Sequence, residues 1–187
     1  MRIIAGQFKS RLIKSPKGVD LRPTSDRVKE SLFSILAGSV INKNILDLFS
    51  GTGNLGIEAL SRGAESCVFV DNNPRCTTAI KKNLEAFGIE EKGQVLLKDS
   101  FKFIREAQAD GLVFDLIFLD PPYYNNMTKK CLILLDNYHI INLSTTIITE
   151  HYKMDELPQP AELKELEICR QGKYGGTILS FYRSKQR

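Results

Sequence analysis

Short apolar runs rich in β-branched residues alternate along this chain with longer stretches whose apolar residues recur every three or four positions. Ile45-Leu46-Asp47-Leu48-Phe49, Ser66–Asp71, Val95–Lys98, Val113–Leu119 and Thr145–Glu150 read as buried strands. The intervening segments read as helices: one after the glycine-rich stretch at 51–56 through Leu60 and Arg62, one from Pro74 to about Phe87, and two near 100–108 and 126–137. Ahead of them, residues 2–14 alternate well enough for a short hairpin, and Pro16-Lys17-Gly18 is a turn. A first helix follows. Thr24, Ser25 or Asp26 can cap it, Val28, Leu32, Ile35 and Leu36 share a face, and Gly38 should end it. The stretch 151–161 is a polar loop. Residues 163–171 and 177–183 form two strands joined through Gly172–Gly176, a hairpin that turns the last strand antiparallel. Strands alternating with helices predict an α/β fold: a Rossmann-like, doubly wound, mostly parallel sheet with an N-terminal hairpin and helix.

The 187 residues suit a single domain, 42% hydrophobic and 26% charged. No apolar run is long enough to span a bilayer, and the first residues lack a signal peptide's apolar stretch, so a cytoplasmic protein is expected. Cys67, Cys76, Cys131 and Cys169 show no paired spacing, and His139 and His151 are not near them, which argues for free thiols and against zinc. Charge is uneven. Residues 1–45 hold nine Lys/Arg against three acids, whereas the rest of the chain holds seventeen against nineteen. A basic N-terminal extension, residues 1–40, beside a near-neutral body points to a polyanionic partner. Its candidate phosphate contacts are Arg2, Lys9, Arg11, Lys14, Arg22 and Arg27.

Gly51-x-Gly53-x-x-Gly56 lies between a strand and a helix. Gly51 permits a tight turn, Gly53 lets a ligand approach the backbone, and Gly56 allows close helix packing. Asp71, twenty residues after Gly51 at the end of the next strand, stands where a carboxylate meets ribose hydroxyls. Asp99 ends the third strand and can accept a hydrogen bond from an adenine amine. Phe49, Asn72 and Ser100 flank these acids and complete the expected cofactor set. A dinucleotide and S-adenosylmethionine both present an adenosine to such a site. Asp47, just before the turn, can bind an ammonium group, which an amino-acid cofactor has and a dinucleotide lacks.

Asp120-Pro121-Pro122-Tyr123 ends the fourth strand. Neither proline can donate to a ladder, and ligands of open α/β sheets bind at the carboxyl ends of strands. The lone pair of a base's exocyclic amine is delocalised into the ring. Two acceptors, the Asp120 side chain and the Pro121 carbonyl, can draw that nitrogen toward tetrahedral geometry, while Tyr123 stacks on the extruded base. The chemistry calls for no metal.

At these residues the chain resembles the class I, S-adenosylmethionine-dependent methyltransferases, and most closely the RsmD-type family, which methylates guanine N2 in bacterial 16S ribosomal RNA. The motifs that carry the likeness are Arg2–Gly6, Leu21–Glu30, Asp47–Ala64, Asp120–Tyr123 and Tyr174–Thr177. The resemblance implies a seven-stranded sheet with an antiparallel last strand. It also implies cofactor contacts from the Gly51 turn, Asp71 and Asp99, a target base at Asp120–Tyr123, and a small ribosomal subunit as partner. A monomer is expected. Thr24 and Asp26 could line the cofactor pocket or cap the helix, capping being the role favoured for Asp26. The rival readings are a DNA adenine methyltransferase, a dinucleotide-dependent oxidoreductase, which would need a proton donor that neither histidine supplies at a strand end, and a non-catalytic RNA-binding module.

Overall fold

The computed structural model describes residues 1–16, 18, 19, 24–122 and 126–185. The chain divides into two compact units, residues 1–99 and 100–187.

In the first unit, helix α1 (Asp26–Leu36) is followed by a 3-10 turn, Ala37–Val40. Strand β1 (Asn44–Leu48), helix α2 (Asn54–Ser61), strand β2 (Ser66–Asp71), helix α3 (Pro74–Phe87) and strand β3 (Gly93–Leu97) come next. Strand β2 is central and parallel to both neighbours, with Leu48 beside Val70 and Asp71 beside Leu97. Ile45, Leu46 and Leu48 are wholly buried, which is why β1 reads as an unbroken apolar run. Pro74 occupies the first turn of α3, Asn73 accepts from Arg75 N at 2.9 Å to cap it, and Gly88 closes it in the left-handed region.

The second unit holds helix α4 (Ser100–Ala109), strand β4 (Phe114–Leu119), helix α5 (Met127–Asn137) and strands β5 (Ile141–Tyr152), β6 (Leu166–Tyr174) and β7 (Thr177–Ser184). Its strand order is β4-β5-β7-β6, with β4 and β5 parallel and β7 antiparallel to both β5 and β6. The seven strands thus make the mixed sheet expected, with β7 the reversed strand. All four cysteines are free, three of them buried.

Several boundaries differ from the sequence reading. The N-terminal hairpin is reduced to one bridge, Arg2 with Leu12, because Ile3, Phe8 and Ile13 turn into the core and bend the segment. Helix α1 stops at Ala37, which takes φ 45°, so Gly38 is not its cap. Ser25 caps its start by accepting from Val28 N. Asp26 is instead the first helical residue and pairs with Arg2 at 3.3 Å. Strand β5 extends to both sides of the predicted run, since β7 pairs with it through Tyr152. The closing turn is two residues, Gly175-Gly176, with Tyr174 directly opposite Thr177. The turn predicted at 16–18 lies partly outside the described residues, at Lys17.

Candidate active site

The first unit builds a glycine turn in which the N–H groups of Gly51, Gly53 and Gly56 are all committed. The chain leaves β1 through Phe49, held at φ 59°, and Gly51 at φ 53°. A left-handed non-glycine residue costs on the order of 1 kcal/mol or more and marks a backbone forced by its surroundings. The forcing group is Ser50, which no sequence motif singles out. Its N–H donates to Val70 O at 3.1 Å, and its buried hydroxyl donates to Asp47 O at 2.5 Å and accepts from Val70 N at 2.9 Å. Gly53 N–H donates to Ser50 O at 2.7 Å. Gly53, at φ 75°, opens α2. At Gly56 an added Cβ would lie 2.3 Å from Phe69 Cε1 and 2.6 Å from Cys67 Sγ, so this glycine is what lets α2 lie against β2.

Two acids complete the turn. Asp71 accepts from Gly51 N–H and Asn73 N–H, each at 2.8 Å, one on each carboxyl oxygen. Asp47, 2% exposed, accepts from Gly56 N–H at 2.9 Å. Burial raises the titration point of both. That of Asp47 is pushed up to about 8, chiefly by burial and further by the charge of Asp71, against the opposing Gly56 hydrogen bond. Asn72 and Asp99 are exposed, Phe49 is half-buried and Ser100, the first residue of α4, is buried.

Behind the turn lies a buried ion pair that sequence reasoning missed. Lys29 of α1 and Glu58 of α2, both fully buried, meet at 3.1 Å. The Lys29 ammonium also donates to Asn54 Oδ1 and to Arg2 O, each at 2.7 Å. Glu58 further accepts from Ile4 N–H at 2.8 Å, Ala5 N–H at 3.1 Å and Arg62 Nε at 2.8 Å. The N-terminal segment, α1 and the start of α2 are therefore fixed to one another. Thr52 of the turn adds a contact to Met1 Sδ at 3.6 Å.

In the second unit β4 delivers Asp120, half-buried, followed by buried Pro121 and exposed Pro122. Tyr123 and Arg22 lie outside the described residues. Of the other expected RNA contacts, Arg2, Lys9, Arg11, Lys14 and Arg27 are all exposed. His151 lies at the carboxyl end of β5, against the expectation for the histidines. It is 2% exposed, and both ring nitrogens are engaged: Nδ1 with Tyr152 O at 3.1 Å and Nε2 with Ser180 Oγ at 2.8 Å. Burial lowers its basicity, and with both ring nitrogens engaged it is a satisfied core residue.

Residues 1–183 match the family described as "Conserved hypothetical protein 95". The chain belongs to this family. Among curated relatives it is 37% identical over 185 residues to "Putative rRNA methyltransferase YlbH" of Bacillus subtilis, covering 99% of this chain and all of that one. It is 35% identical over 161 residues to "Ribosomal RNA small subunit methyltransferase D" of Haemophilus influenzae, covering 86% and 83%. The solved structure of "Putative methyltransferase yhhF" from Escherichia coli superposes over 100% of this chain and 99% of that one, with a TM-score of 0.84 at 28% identity. The fold is that of the methyltransferases. Among the described residues no helix is long and apolar enough to cross a membrane, and no group of three or more His, Cys, Asp or Glu could hold a metal.

Proposed function

We propose that this chain transfers a methyl group from S-adenosylmethionine to the exocyclic amine, N2, of a guanine in small-subunit ribosomal RNA, acting as one methyltransferase domain with residues 1–40 as its RNA-contacting extension. The observation that carries the cofactor is the chemistry of the glycine turn. A diphosphate-binding turn offers free N–H groups to an anion. Here the N–H groups of Gly51, Gly53 and Gly56 are already taken by Asp71, Ser50 and Asp47. A half-buried acid, Asp71, and a fully buried one, Asp47, which ionises when a cation is brought to it, suit a cation at this turn and leave no glycine N–H for a diphosphate. A ligand with an ammonium and a sulfonium meets that demand, and a dinucleotide does not. Asp47 and Asp71 are the residues to hold the ammonium and the ribose, and Asp99 the adenine.

When bound, S-adenosylmethionine supplies an electrophilic methyl on a positively charged sulfur. The chain's own part is positioning. The Asp120 carboxylate and the Pro121 carbonyl accept hydrogen bonds from the two N–H groups of the target amine, which localises the nitrogen lone pair. A hydrogen bond that strengthens as the nitrogen becomes tetrahedral lowers the barrier without tightening ground-state binding. Tyr123 supplies the stacking surface for the extruded base. The choice of guanine N2 and of the small subunit rests on the motifs shared with the RsmD-type enzymes and on the name of the Haemophilus relative.

The test is methyl transfer from labelled cofactor to small subunits that lack the modification, followed by mapping of the methylated base. Label on a guanine N2 supports the reading. Label on DNA adenine instead, or tight dinucleotide binding in place of S-adenosylmethionine, would replace it.

A further inference from the structure

The N-terminal segment does not project from the body as a free arm. It is laid along α3, running from the helix C-terminus toward its N-terminus. Phe8 stacks on Phe87 at 5.3 Å between ring centroids. The Arg11 guanidinium lies 4.4 Å over the Phe87 ring and donates to Ala86 O. Buried Asn83 clamps Lys14 in both directions, accepting from its N–H and donating to its carbonyl, each at 3.0 Å. Arg75 reaches Gly18 O at 3.1 Å. These fastenings span Arg75 to Phe87, about 18 Å at 1.5 Å per residue.

Cations are thereby carried on both the segment and the helix it is fastened to. Residues 1–16 and α3 together carry seven cations and one acid, Glu85. The α3 share is hidden in a sequence-level charge count, because it falls within the near-neutral body. The seven do different work. Arg2 is paired with Asp26, while Arg11 and Arg75 are spent on fastening the segment to the helix. Lys9, Lys14, Lys81 and Lys82 are exposed, and among the described residues they make no ion pair. Lys81 and Lys82 line a shallow hollow with Thr78, Glu85 and Glu90. Lys82 is next to the Asn83 that holds Lys14.

We propose that α3 and the segment fastened to it form a single phosphate track for the RNA substrate, with Lys9, Lys14, Lys81 and Lys82 as the phosphate ligands and Arg11 and Arg75 as the struts that hold the two halves in register. This rests on the ribosomal RNA reading and adds to it a helix and a division of labour. Flexible ammonium groups on a rigid backbone suit sequence-independent phosphate binding, which fixes register and leaves base choice to other residues.

The experiment measures binding of the full chain to a small-subunit ribosomal RNA across a salt series. It compares wild type with Lys9→Gln/Lys14→Gln, Lys81→Gln/Lys82→Gln, the quadruple variant, and Lys153→Gln/Lys173→Gln in the second unit. Removing one phosphate ligand should flatten the slope of log affinity against log salt by about 0.7–0.9. Each track pair should therefore flatten it by about 1.5, the quadruple variant by about 3, and the second-unit pair not at all. Melting curves and cofactor affinity by calorimetry should stay at wild type, which separates a missing phosphate ligand from a damaged fold. A wild-type slope in Lys81→Gln/Lys82→Gln, with RNA still bound, overturns the track and leaves the methyltransferase reading standing. A wild type that binds no RNA overturns the track, and one that also fails to methylate small subunits overturns both. Equal binding to polyglutamate, abolished in the same variants, would reassign the surface to an acidic protein and also overturn the proposal.

Discussion

Replacing Asp47 with asparagine isolates the electrostatics of the glycine turn. The variant keeps an acceptor for the Gly56 N–H and removes the titration. In the wild type this carboxyl moves from 3.8, its ordinary value, to about 8 on folding. The folded chain therefore binds the proton more tightly than the unfolded chain does. Its contribution to stability is most favourable below pH 4, declines as pH rises from 4 to 8, and is level above 8. Each pH unit inside that window is worth up to about 1.4 kcal/mol, so between pH 5 and pH 8 the wild type should lose about 3.5 kcal/mol relative to Asp47→Asn. Urea denaturation of both proteins at several pH values reads this difference directly, and titrations common to both chains, Asp71 included, largely cancel. Two denaturation free energies that run parallel from pH 5 to pH 8 would refute the argument. The same group gives a binding signature. An ammonium brought to Asp47 must find it ionised, so cofactor binding near pH 7 should release a proton in the wild type and not in the variant. Calorimetry in buffers of different ionisation enthalpy counts that proton.

Gly56→Ala puts a methyl within 2.3 Å of Phe69 Cε1 and should cost about 1–3 kcal/mol in a thermal or urea melt, as overpacking does. Lys29→Met leaves buried Glu58 with Arg62 as its charged partner, and should cost about 3 kcal/mol with faster amide exchange at Ile4 and Ala5, whose N–H groups Glu58 holds. Asp71→Ala removes the carboxyl that knots Gly51 and should weaken S-adenosylmethionine binding by about 1–3 kcal/mol in calorimetry, an unchanged affinity removing Asp71 from the site. Asp120→Ala should lower turnover on small subunits about a hundredfold with little change in cofactor affinity, and Asp120→Asn, which keeps an acceptor, should retain part of the activity; full turnover in Asp120→Ala would return Asp-Pro-Pro to a plain strand terminator.

Much of the frame is legible in local pattern. Strand β2 and helix α3 fall where the sequence puts them, because a proline at a first helical turn and a run of buried residues are local signals. What stays hidden depends on neighbours far apart in the chain. Lys29 counts among the charges of a basic extension, yet it is a core residue. Its spacing carries a signal, since it lies three and four residues before Leu32 and Phe33 on the buried face of α1, but only a partner 29 residues away makes a lysine tolerable there. Arg11 reads as a phosphate ligand in the sequence, and its contacts with Phe87 and Ala86 O are hidden there, because tertiary packing brings those residues beneath it. The start of β5 is hidden by Asn142, Leu143 and Ser144, exposed residues without the alternation of a half-buried strand.

The proposed cofactor site illustrates why a glycine motif underdetermines its ligand. Gly51, Gly53 and Gly56 say where the backbone can bend and how closely α2 can approach β2, and those requirements are common to anionic and cationic cofactors. The sign of the ligand's charge is set by whether the turn's N–H groups are still open. That depends on Asp47, nine residues before Gly56, and Asp71, twenty after Gly51, each of which spends a lone pair on the turn itself. An acid at the end of β2 is compatible with ribose binding in either class of cofactor. On the reading proposed above, an acid on β1, buried and closing the helix start from behind, makes the same motif suit a cation in place of an anion. The feature proposed to favour a methyl donor over a dinucleotide is therefore a pair of side chain-to-backbone hydrogen bonds, which exist only once β1, α2 and β2 have packed together.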